Sequence, residues 1–129
     1  MKLFLFSLLS TFLLFLAACN KRPSGGYGGN ANLKLVARHH GNVIDSITFY
    51  VKFNATDAPA LESYDVVKTG TTLSTGNTYA VISGLKKGKY YIYAKGWDPF
   101  ISSEISGGIP YSIEEEMDLD IIVAVTETH

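Results

Sequence analysis

Hydrophobic and polar residues alternate one by one along two long segments of the chain. In residues 43–53 the odd-numbered positions are apolar except for Asp45, and the even-numbered positions are mainly polar. In residues 117–125 every odd-numbered position is apolar. A period of two is typical of a β-strand with one face packed against a core and the other in water. We therefore predict a strand over each segment.

Five further segments have the composition of short strands, and no segment carries a helical stripe of normal length. Residues with turn chemistry separate the segments, among them Gly84, Gly88 and the pairs Asp98-Pro99 and Gly107-Gly108. About seven strands at a spacing of roughly 8–12 residues predict an all-β fold, an antiparallel Greek-key sandwich of the Ig-like kind, over residues 32–129. The five segments are 33–39, 63–68, 78–82, 89–95 and 109–113.

A short motif supports the sandwich prediction. The segment from Leu85 to Tyr90 reads LKKGKY, which resembles the L-x-P-G-x-Y signature of the tyrosine corner, with Lys87 in place of the proline. Residues 78–98 resemble transthyretin-like (prealbumin-like) and carboxypeptidase-regulatory-like domains. The resemblance implies that Gly88 permits a turn and that Leu85 caps the core. It also implies that the Tyr90 hydroxyl bonds to an upstream backbone group.

The first 18 residues differ from the rest of the chain. Lys2 precedes an apolar stretch, and Ala17 and Ala18 precede Cys19, which is the single cysteine. This end resembles the lipobox of bacterial lipoproteins, which implies cleavage before Cys19 and acylation of that residue. The apolar stretch is shorter than the ~20 residues that span a bilayer. We expect residues 1–18 to be a lipoprotein signal peptide; the alternative is an uncleaved N-terminal anchor.

Residues 19–31 are rich in glycine and polar side chains, so we predict a flexible, lipid-anchored tether there. The residues after Cys19 lack the acidic start of retained lipoproteins, which favours the outer membrane and leaves its periplasmic or surface face open. The whole chain also resembles small Bacteroidetes-type lipoproteins through the Gly-Gly-Ile-Pro-Tyr segment at 107–111 and the Val-Thr-Glu segment at 125–127. That resemblance implies no activity.

Composition excludes one class of partner. The chain has 11 basic and 12 acidic residues and a formal net charge of −1. Nucleic-acid binding depends on neutralising phosphates, and no basic excess is present to do so. With Cys19 acylated, no cysteine remains for a disulfide, and no cofactor motif is present.

Candidate catalytic and metal-binding residues are few. The sequence has no G-x-S-x-G, P-loop, dinucleotide-binding or H-E-x-x-H motif. His39 and His40 are adjacent, and neighbouring strand residues point to opposite faces, so we predict a solvated strand end there and no metal site. If the strand ends at His39, the pair lies in a turn with Gly41-Asn42 and this objection weakens. An acidic cluster offers a calcium site as an alternative to a charged, solvated strand, which we favour. The cluster comprises Glu114, Glu115, Glu116, Asp118 and Asp120.

Aromatic residues outside the core pattern form the candidate binding surface. If Tyr90 faces the core, then Tyr91 and Tyr93 face outward, and Tyr50 with Lys52 can do the same on a second strand. Further aromatic residues lie in or beside predicted loops, where they can contact a sugar or a protein. Ordinary strand preference, with Trp97 closing one end of the sandwich, is the alternative. The candidate residues are Tyr91, Tyr93, Trp97, Phe100 and Tyr111.

These observations predict a lipid-anchored, non-catalytic interaction or structural module of the bacterial cell envelope, accessory to a larger assembly or adhesin-like. Its partners would be the membrane, through acylated Cys19, and an envelope protein or a glycan. The alternatives are a carbohydrate-binding lipoprotein that uses Tyr91, Tyr93 or Trp97, and a small hydrolase with a site assembled from dispersed residues.

Overall fold

Ten β-strands and one turn of 3-10 helix (Leu61–Ser63) form the regular structure of residues 24–128, which are the residues that the computed structural model describes. The predicted signal peptide and Cys19 lie outside them. The strands are β1 (Tyr27–His39), β2 (Asn42–Val43), β3 (Ser46–Phe53), β4 (Val66–Thr69), β5 (Thr71–Thr72), β6 (Thr78–Leu85), β7 (Gly88–Asp98), β8 (Ser103–Ile113), β9 (Asp118–Ala124) and β10 (Thr126–Glu127).

The strands form two five-stranded sheets that enclose one core, which confirms the predicted all-β sandwich. In the first sheet β1 pairs with β2, β6 and β9, and β6 pairs with β5. The second sheet has the order β10-β8-β7-β3-β4. Ten strands exceed the predicted count of about seven because β2, β5 and β10 have two residues each. The pairs of described strands are antiparallel except for β1 and β9, which run parallel from Asn32↔Asp118 to Arg38↔Ala124.

The predicted alternation places the core. Ile47, Phe49 and Val51 of β3 are buried, as are Ile121 and Val123 of β9, and each such side chain contributes about 1.5–3 kcal/mol when fully buried. At the start of the second segment Met117 is exposed, and at the start of the first segment the pattern also fails. There Ile44 is buried and Asp45 is exposed, because these two residues form an irregular link between β2 and β3 rather than part of a strand.

Tyr90 confirms the geometry expected of the tyrosine corner. Its side chain is fully buried, and its hydroxyl donates to the Lys86 carbonyl oxygen at 2.6 Å. The hydroxyl oxygen also accepts a hydrogen bond from the Gly26 backbone N–H at 2.8 Å. Gly88 has a φ of +148°, which a residue with a side chain rarely adopts. The segment therefore turns as the motif implies, with Lys87 in place of proline.

Three predicted boundaries need correction. The tether was expected to extend to residue 31, but β1 begins at Tyr27, and the Gly25 N–H donates to Asn54 Oδ1 at 2.7 Å. Backbone pairing with β6 and hydrogen bonds to side chains therefore fix this segment in the fold. Gly84 and the pair Gly107-Gly108 were predicted as turns, but they lie inside β6 and β8. No helix within residues 24–128 has the length and apolar character needed to cross a membrane.

Candidate functional site

Tyrosine side chains cluster on the outer face of the second sheet. Tyr91 and Tyr93 of β7 are half-buried there, while the intervening Ile92 is fully buried, which confirms the predicted orientation. Tyr50 of β3 lies opposite Tyr93, and Tyr64 joins them from the segment before β4. We call Tyr50, Tyr64, Tyr91 and Tyr93 the tyrosine face.

The rings of the tyrosine face pack against one another. The Tyr64 ring is stacked on Tyr93 with centroids 6.0 Å apart and an interplanar angle of 22°, and it lies 5.6 Å from Tyr50. Burial, followed by the neighbouring Tyr91 and Tyr93, raises the pKa of Tyr64 to about 12, so its hydroxyl stays protonated at neutral pH. Tyr64 lies inside the predicted strand 63–68 but is not among the candidate residues; the observed strand begins at Val66, so its alternation does not show where Tyr64 points.

Small residues of β8 leave room for these rings. Tyr93 pairs with Gly108 and Tyr91 pairs with Pro110 across the sheet. A Cβ on Gly108 would lie 2.6 Å from the Tyr91 hydroxyl, so the Tyr91 ring extends over this glycine. On the outer face of the sheet, the side chains of β8 therefore project little at Gly108, whereas aromatic rings cover β3 and β7.

The lysines beside the tyrosine face are paired with carboxylates. Lys52 Nζ donates to the Ser63 carbonyl oxygen at 2.8 Å and lies 3.4 Å from Asp65 Oδ1. Lys95 Nζ lies 3.4 Å from Glu104 Oε1. These pairs leave little uncompensated charge around the rings. A depression of about 530 Å³ on the same sheet is lined by residues that include Lys95, Glu104 and Trp97.

Apolar side chains project into solvent where β7 turns into β8. Trp97, Phe100 and Ile101 have exposed fractions of 48%, 88% and 41%; we call these three residues the hairpin tip. The turn is fixed by Asp98, whose Oδ1 accepts the Phe100 N–H at 2.9 Å. Large exposed apolar groups close together are typical of interaction surfaces. Trp97 is the penultimate residue of β7 and lies beside the loop, as expected, and its exposure shows that it does not close the sandwich.

Tyr111 lies apart from the other candidate residues. It belongs to β8 and is half-buried against the core, on the strand face that also carries Ile113. The expectation that it lies in or beside a loop with the outward aromatics is wrong. Tyr111 lies within the predicted strand 109–113, and the alternation of side chains along a strand puts it on the same face as the buried Ile113.

A second cluster joins His39, Asp98 and Glu127 at the end of the sandwich that carries the hairpin tip. His39 is only 3% exposed, so the predicted solvated strand end is wrong. Its Nδ1 lies 2.7 Å from Asp98 Oδ2, and its Nε2 lies 3.5 Å from Glu127 Oε2. The Asp98 hydrogen bond, aided by Glu127 and opposed by burial, raises the pKa of His39 above 6.5. The same hydrogen bond is the main cause that lowers the pKa of Asp98 below 3.8.

This cluster lacks the arrangement of a general base with a nucleophile. His39 Nε2 is buried and has no hydrogen-bond partner among the described residues, while Nδ1 is taken by Asp98. A hydrolase of the serine-histidine kind needs a hydroxyl bonded to that free nitrogen. The structure thus brings together a histidine and two carboxylates, and within residues 24–128 no hydroxyl is hydrogen-bonded to His39 Nε2.

The acidic cluster at residues 114–120 is used in part by backbone and side-chain hydrogen bonds. Glu116 Oε1 accepts the Asn30 N–H at 2.8 Å, and Asp118 Oδ1 accepts from the Asn32 side chain at 2.7 Å. Both bonds hold the start of β1. The two carboxylates are thus engaged by donors of the protein itself, as expected for a charged, solvated strand end.

The tether end and the hairpin tip lie at opposite ends of β7. Gly25 and Gly26 contact Gly88 and Tyr90 at the start of this strand, and the tip follows its last residue. The 11 residues of β7 span roughly 35 Å at the usual strand rise. Comparisons of the chain with protein-family models, curated proteins and solved structures give no match.

Proposed function

We propose that this protein is a lipid-anchored, non-catalytic interaction module of the bacterial cell envelope that binds a protein partner through the hairpin tip and the tyrosine face. The observation that carries the proposal is the exposure of Phe100, at 88%, between two other exposed apolar residues. Water contact at three such side chains costs free energy that a partner would recover by covering them.

The chemistry of this surface fits a protein interface. Tyrosine and tryptophan are enriched in such interfaces because they bury a large area with little loss of conformational freedom. Mutual packing already restricts Tyr50, Tyr64 and Tyr93. Binding of a partner to these rings would therefore cause only a small further loss of side-chain conformational entropy.

The position of the predicted anchor supports a partner away from the membrane. If Cys19 is acylated, the chain enters the fold from the lipid at Gly25, beside the start of β7. The hairpin tip then projects from the other end of the sandwich, roughly 35 Å away along β7. Phe100 and Ile101 are thus directed away from the bilayer that carries the anchor.

The family and the compartment are parts of the same proposal. We infer a transthyretin-like domain on a Bacteroidetes-type outer-membrane lipoprotein, with either membrane face open. The buried Tyr90 and its bond to Lys86 support the first inference. The lipobox-like residues before Cys19 support the second.

Site-specific crosslinking in intact cells tests the partner. A photoreactive phenylalanine analogue at position 100 should give a discrete adduct with one envelope protein. The matched control is position 122, where Ile122 is 57% exposed on the opposite sheet and no adduct is expected. Equal labelling from both positions, or none from positions 97, 100 and 101, would contradict the proposal.

A glycan is the second candidate partner, and the depression beside Trp97 favours it. An exposed indole ring next to Lys95 and Glu104 offers a stacking surface with polar groups at its rim. Trp97 is the single tryptophan of the chain, so its fluorescence reports binding directly. Saturable quenching by one envelope glycan, absent with unrelated sugars, would favour this candidate over a protein partner.

A further inference from the structure

We propose that His39, His40 and Glu127 bind a divalent transition-metal ion, with zinc as the best match, at the C-terminal end of β1. The donor atoms are His39 Nε2, an imidazole nitrogen of His40 and a carboxylate oxygen of Glu127. One potential ligand atom from each residue lies within 4.8 Å of the others. The site is separate from the tyrosine face and does not depend on the proposed interaction function.

The buried imidazole of His39 is the first argument. Its Nε2 is inaccessible to solvent and has no hydrogen-bond partner among residues 24–128. Glu127 Oε2 lies 3.5 Å from this nitrogen, longer than an ordinary hydrogen bond. Buried polar atoms are normally satisfied, so an orphaned nitrogen facing a carboxylate indicates a missing ligand between them.

The turn after β1 brings His40 to the same place. His40 and Gly41 have φ values of +48° and +82°, as in the two-residue turns that join antiparallel strands with φ positive at both positions. This backbone reverses at once after His39, so the alternation of a strand no longer separates the two rings. Their centroids lie 4.1 Å apart.

The separations of the donor atoms suit a small ion. Ligands bound at ~2.05 Å with tetrahedral angles lie about 3.3 Å from one another. The Glu127 carboxylate is 3.5 Å from His39 Nε2 and 3.9 Å from His40 Nε2. The exposed side chain of His40 and the half-buried side chain of Glu127 would move to bring the donor atoms, now within 4.8 Å of one another, to this spacing.

Asp98 supplies the support that a metal-binding histidine needs. Its Oδ2 lies 2.7 Å from His39 Nδ1, and when Nδ1 carries the single proton of the neutral imidazole this hydrogen bond fixes the ring and leaves the Nε2 lone pair free for a metal. A carboxylate on the far nitrogen is the usual partner of a zinc-bound imidazole. The side chains of His40 and Glu127 are 74% and 39% exposed, so an ion can enter from solvent.

The donor atoms of two imidazoles and one carboxylate, two nitrogens and one oxygen, indicate which metal ion would bind. Calcium and magnesium prefer shells of oxygen only, whereas zinc accepts nitrogen and oxygen together. Three protein ligands leave a fourth position for water. We therefore expect one zinc ion per chain, bound in a site that remains open on the solvent side.

Zinc titration of the full chain in detergent, after treatment with a chelator, tests the site. The probe is zinc chloride alone, followed by calorimetry, with the melting temperature as a second readout. The wild-type protein should bind one equivalent and melt at a higher temperature. His40→Ala and Glu127→Gln, which change exposed or half-buried side chains, should keep the fold and lose at least ~10-fold in affinity.

Glu115→Gln is the matched control, because Glu115 is an exposed carboxylate outside the cluster. It should bind zinc as the wild type does. Asp98→Asn should weaken binding by about 10–100-fold through loss of ring orientation. In ¹⁵N spectra, zinc should shift Nε2 of His39 and leave Nδ1 protonated.

Three outcomes would overturn the site. One is that the wild-type chain binds no zinc when zinc is present at about a hundredfold excess over the protein. Another is equal affinity for Glu127→Gln and Glu115→Gln. The third is loss of binding in His129→Ala but not in His40→Ala, which would show that zinc binds at the C-terminal residue only.

Discussion

Two buried polar side chains, Tyr90 and His39, show how single residues are fitted into this sandwich. The Tyr90 hydroxyl donates one hydrogen bond and accepts another, so its polar atom is fully used. His39 is satisfied only at Nδ1. Tyr90 therefore serves to stabilise the fold, whereas His39 retains one ring nitrogen, Nε2, without a hydrogen-bond partner among the described residues.

Replacing Tyr90 by phenylalanine should destabilise the domain. The change removes one hydroxyl and leaves the Lys86 carbonyl oxygen and the Gly26 N–H without their partner. The expected loss in the free energy of unfolding is about 1–3 kcal/mol, measured by urea denaturation. Tyr91→Phe is the control, since Tyr91 is half-buried on the outer face, and it should change stability by much less. Equal losses for the two variants would contradict the tyrosine corner.

The His39–Asp98 pair should make stability depend on pH. His39 has a pKa above 6.5, so its contribution is complete below that pH and is lost as the pH rises through the raised pKa. Asp98 has a pKa below 3.8, so its contribution is present above that pH and is lost as the pH falls through the lowered pKa. Stability from this pair is therefore greatest in mildly acidic solution.

Melting temperatures of the wild type and Asp98→Asn, measured in chelator from about pH 4 to pH 9, test this dependence. The difference between the two proteins should be largest near pH 5 and should shrink above neutrality. Asp120→Asn, which changes an exposed carboxylate of β9, should follow the wild type. A difference that does not vary with pH would show that the pair does not titrate as argued.

At the scale of the elements, β8 determines how closely its neighbours approach. Gly107 and Gly108 lie side by side in this strand and face opposite sides of the sheet. A Cβ on Gly107 would lie 2.1 Å from the Ala124 carbonyl oxygen, which is backbone. A Cβ on Gly108 would meet only the far end of the Tyr91 side chain. Gly107 thus contacts backbone that cannot easily move, whereas Gly108 contacts a side chain that can rotate.

Alanine at these two positions should therefore have unequal effects. Gly107→Ala has to displace the backbone after β9 and should cost about 1–3 kcal/mol of unfolding free energy. Gly108→Ala should cost less, because the Tyr91 ring can rotate away. Thermal or urea denaturation of the two variants measures the difference. The larger loss at Gly108 would mean that the tyrosine face, and not the backbone, limits packing here.

The same strand shows what the sequence could and could not predict. Alternation identified the buried faces of β3, β7 and β9, because burial on one side imposes a period of two. The sequence predicts a turn at the Gly107-Gly108 pair because glycine is frequent in turns. Its actual role, to admit the Ala124 backbone and the Tyr91 ring, depends on neighbours distant in the chain.

The candidate sites show the same division. Tyr91 and Tyr93 were found because their strand neighbours are apolar, whereas Tyr64 reaches the tyrosine face from an irregular segment. The grouping of His39 with Asp98 and Glu127 could not be predicted, because it joins residues from three strands. The positive φ of His40 could not be predicted from the sequence either, although Gly41-Asn42 indicates a turn.

At the scale of the whole molecule, the described fold has two distinct ends. The chain enters at Gly25 and Gly26, and the hairpin tip and the histidine cluster lie at the other end of β1 and β7. Because hydrogen bonds hold the chain from Gly25 onward, any tether is short. A protein anchored through Cys19 would thus have only residues 20–24 between the lipid and the first residue that these hydrogen bonds hold.

Substitution of Cys19 by alanine should separate anchoring from folding. We expect loss of fatty-acid incorporation and, where the leader is removed by another route, release of the protein into the soluble fraction. The melting temperature of the purified domain should not change, since Cys19 precedes the segment that the fold holds. Metabolic labelling, cell fractionation and calorimetry measure the three quantities. A lower melting temperature would show that Cys19 belongs to the folded unit.

The parallel pairing of β1 with β9 has a consequence for biogenesis. Seven residue pairs join β1, the first described strand, to β9, which is followed only by the two-residue β10 among the described strands. Until β9 has emerged, that edge of β1 is open and the first sheet is incomplete. A chain threaded through an export channel N-terminus first would therefore reach the far side before it can close its sheet. In such a chain the open edge of β1 would stay exposed, and available to a chaperone, until β9 pairs with it.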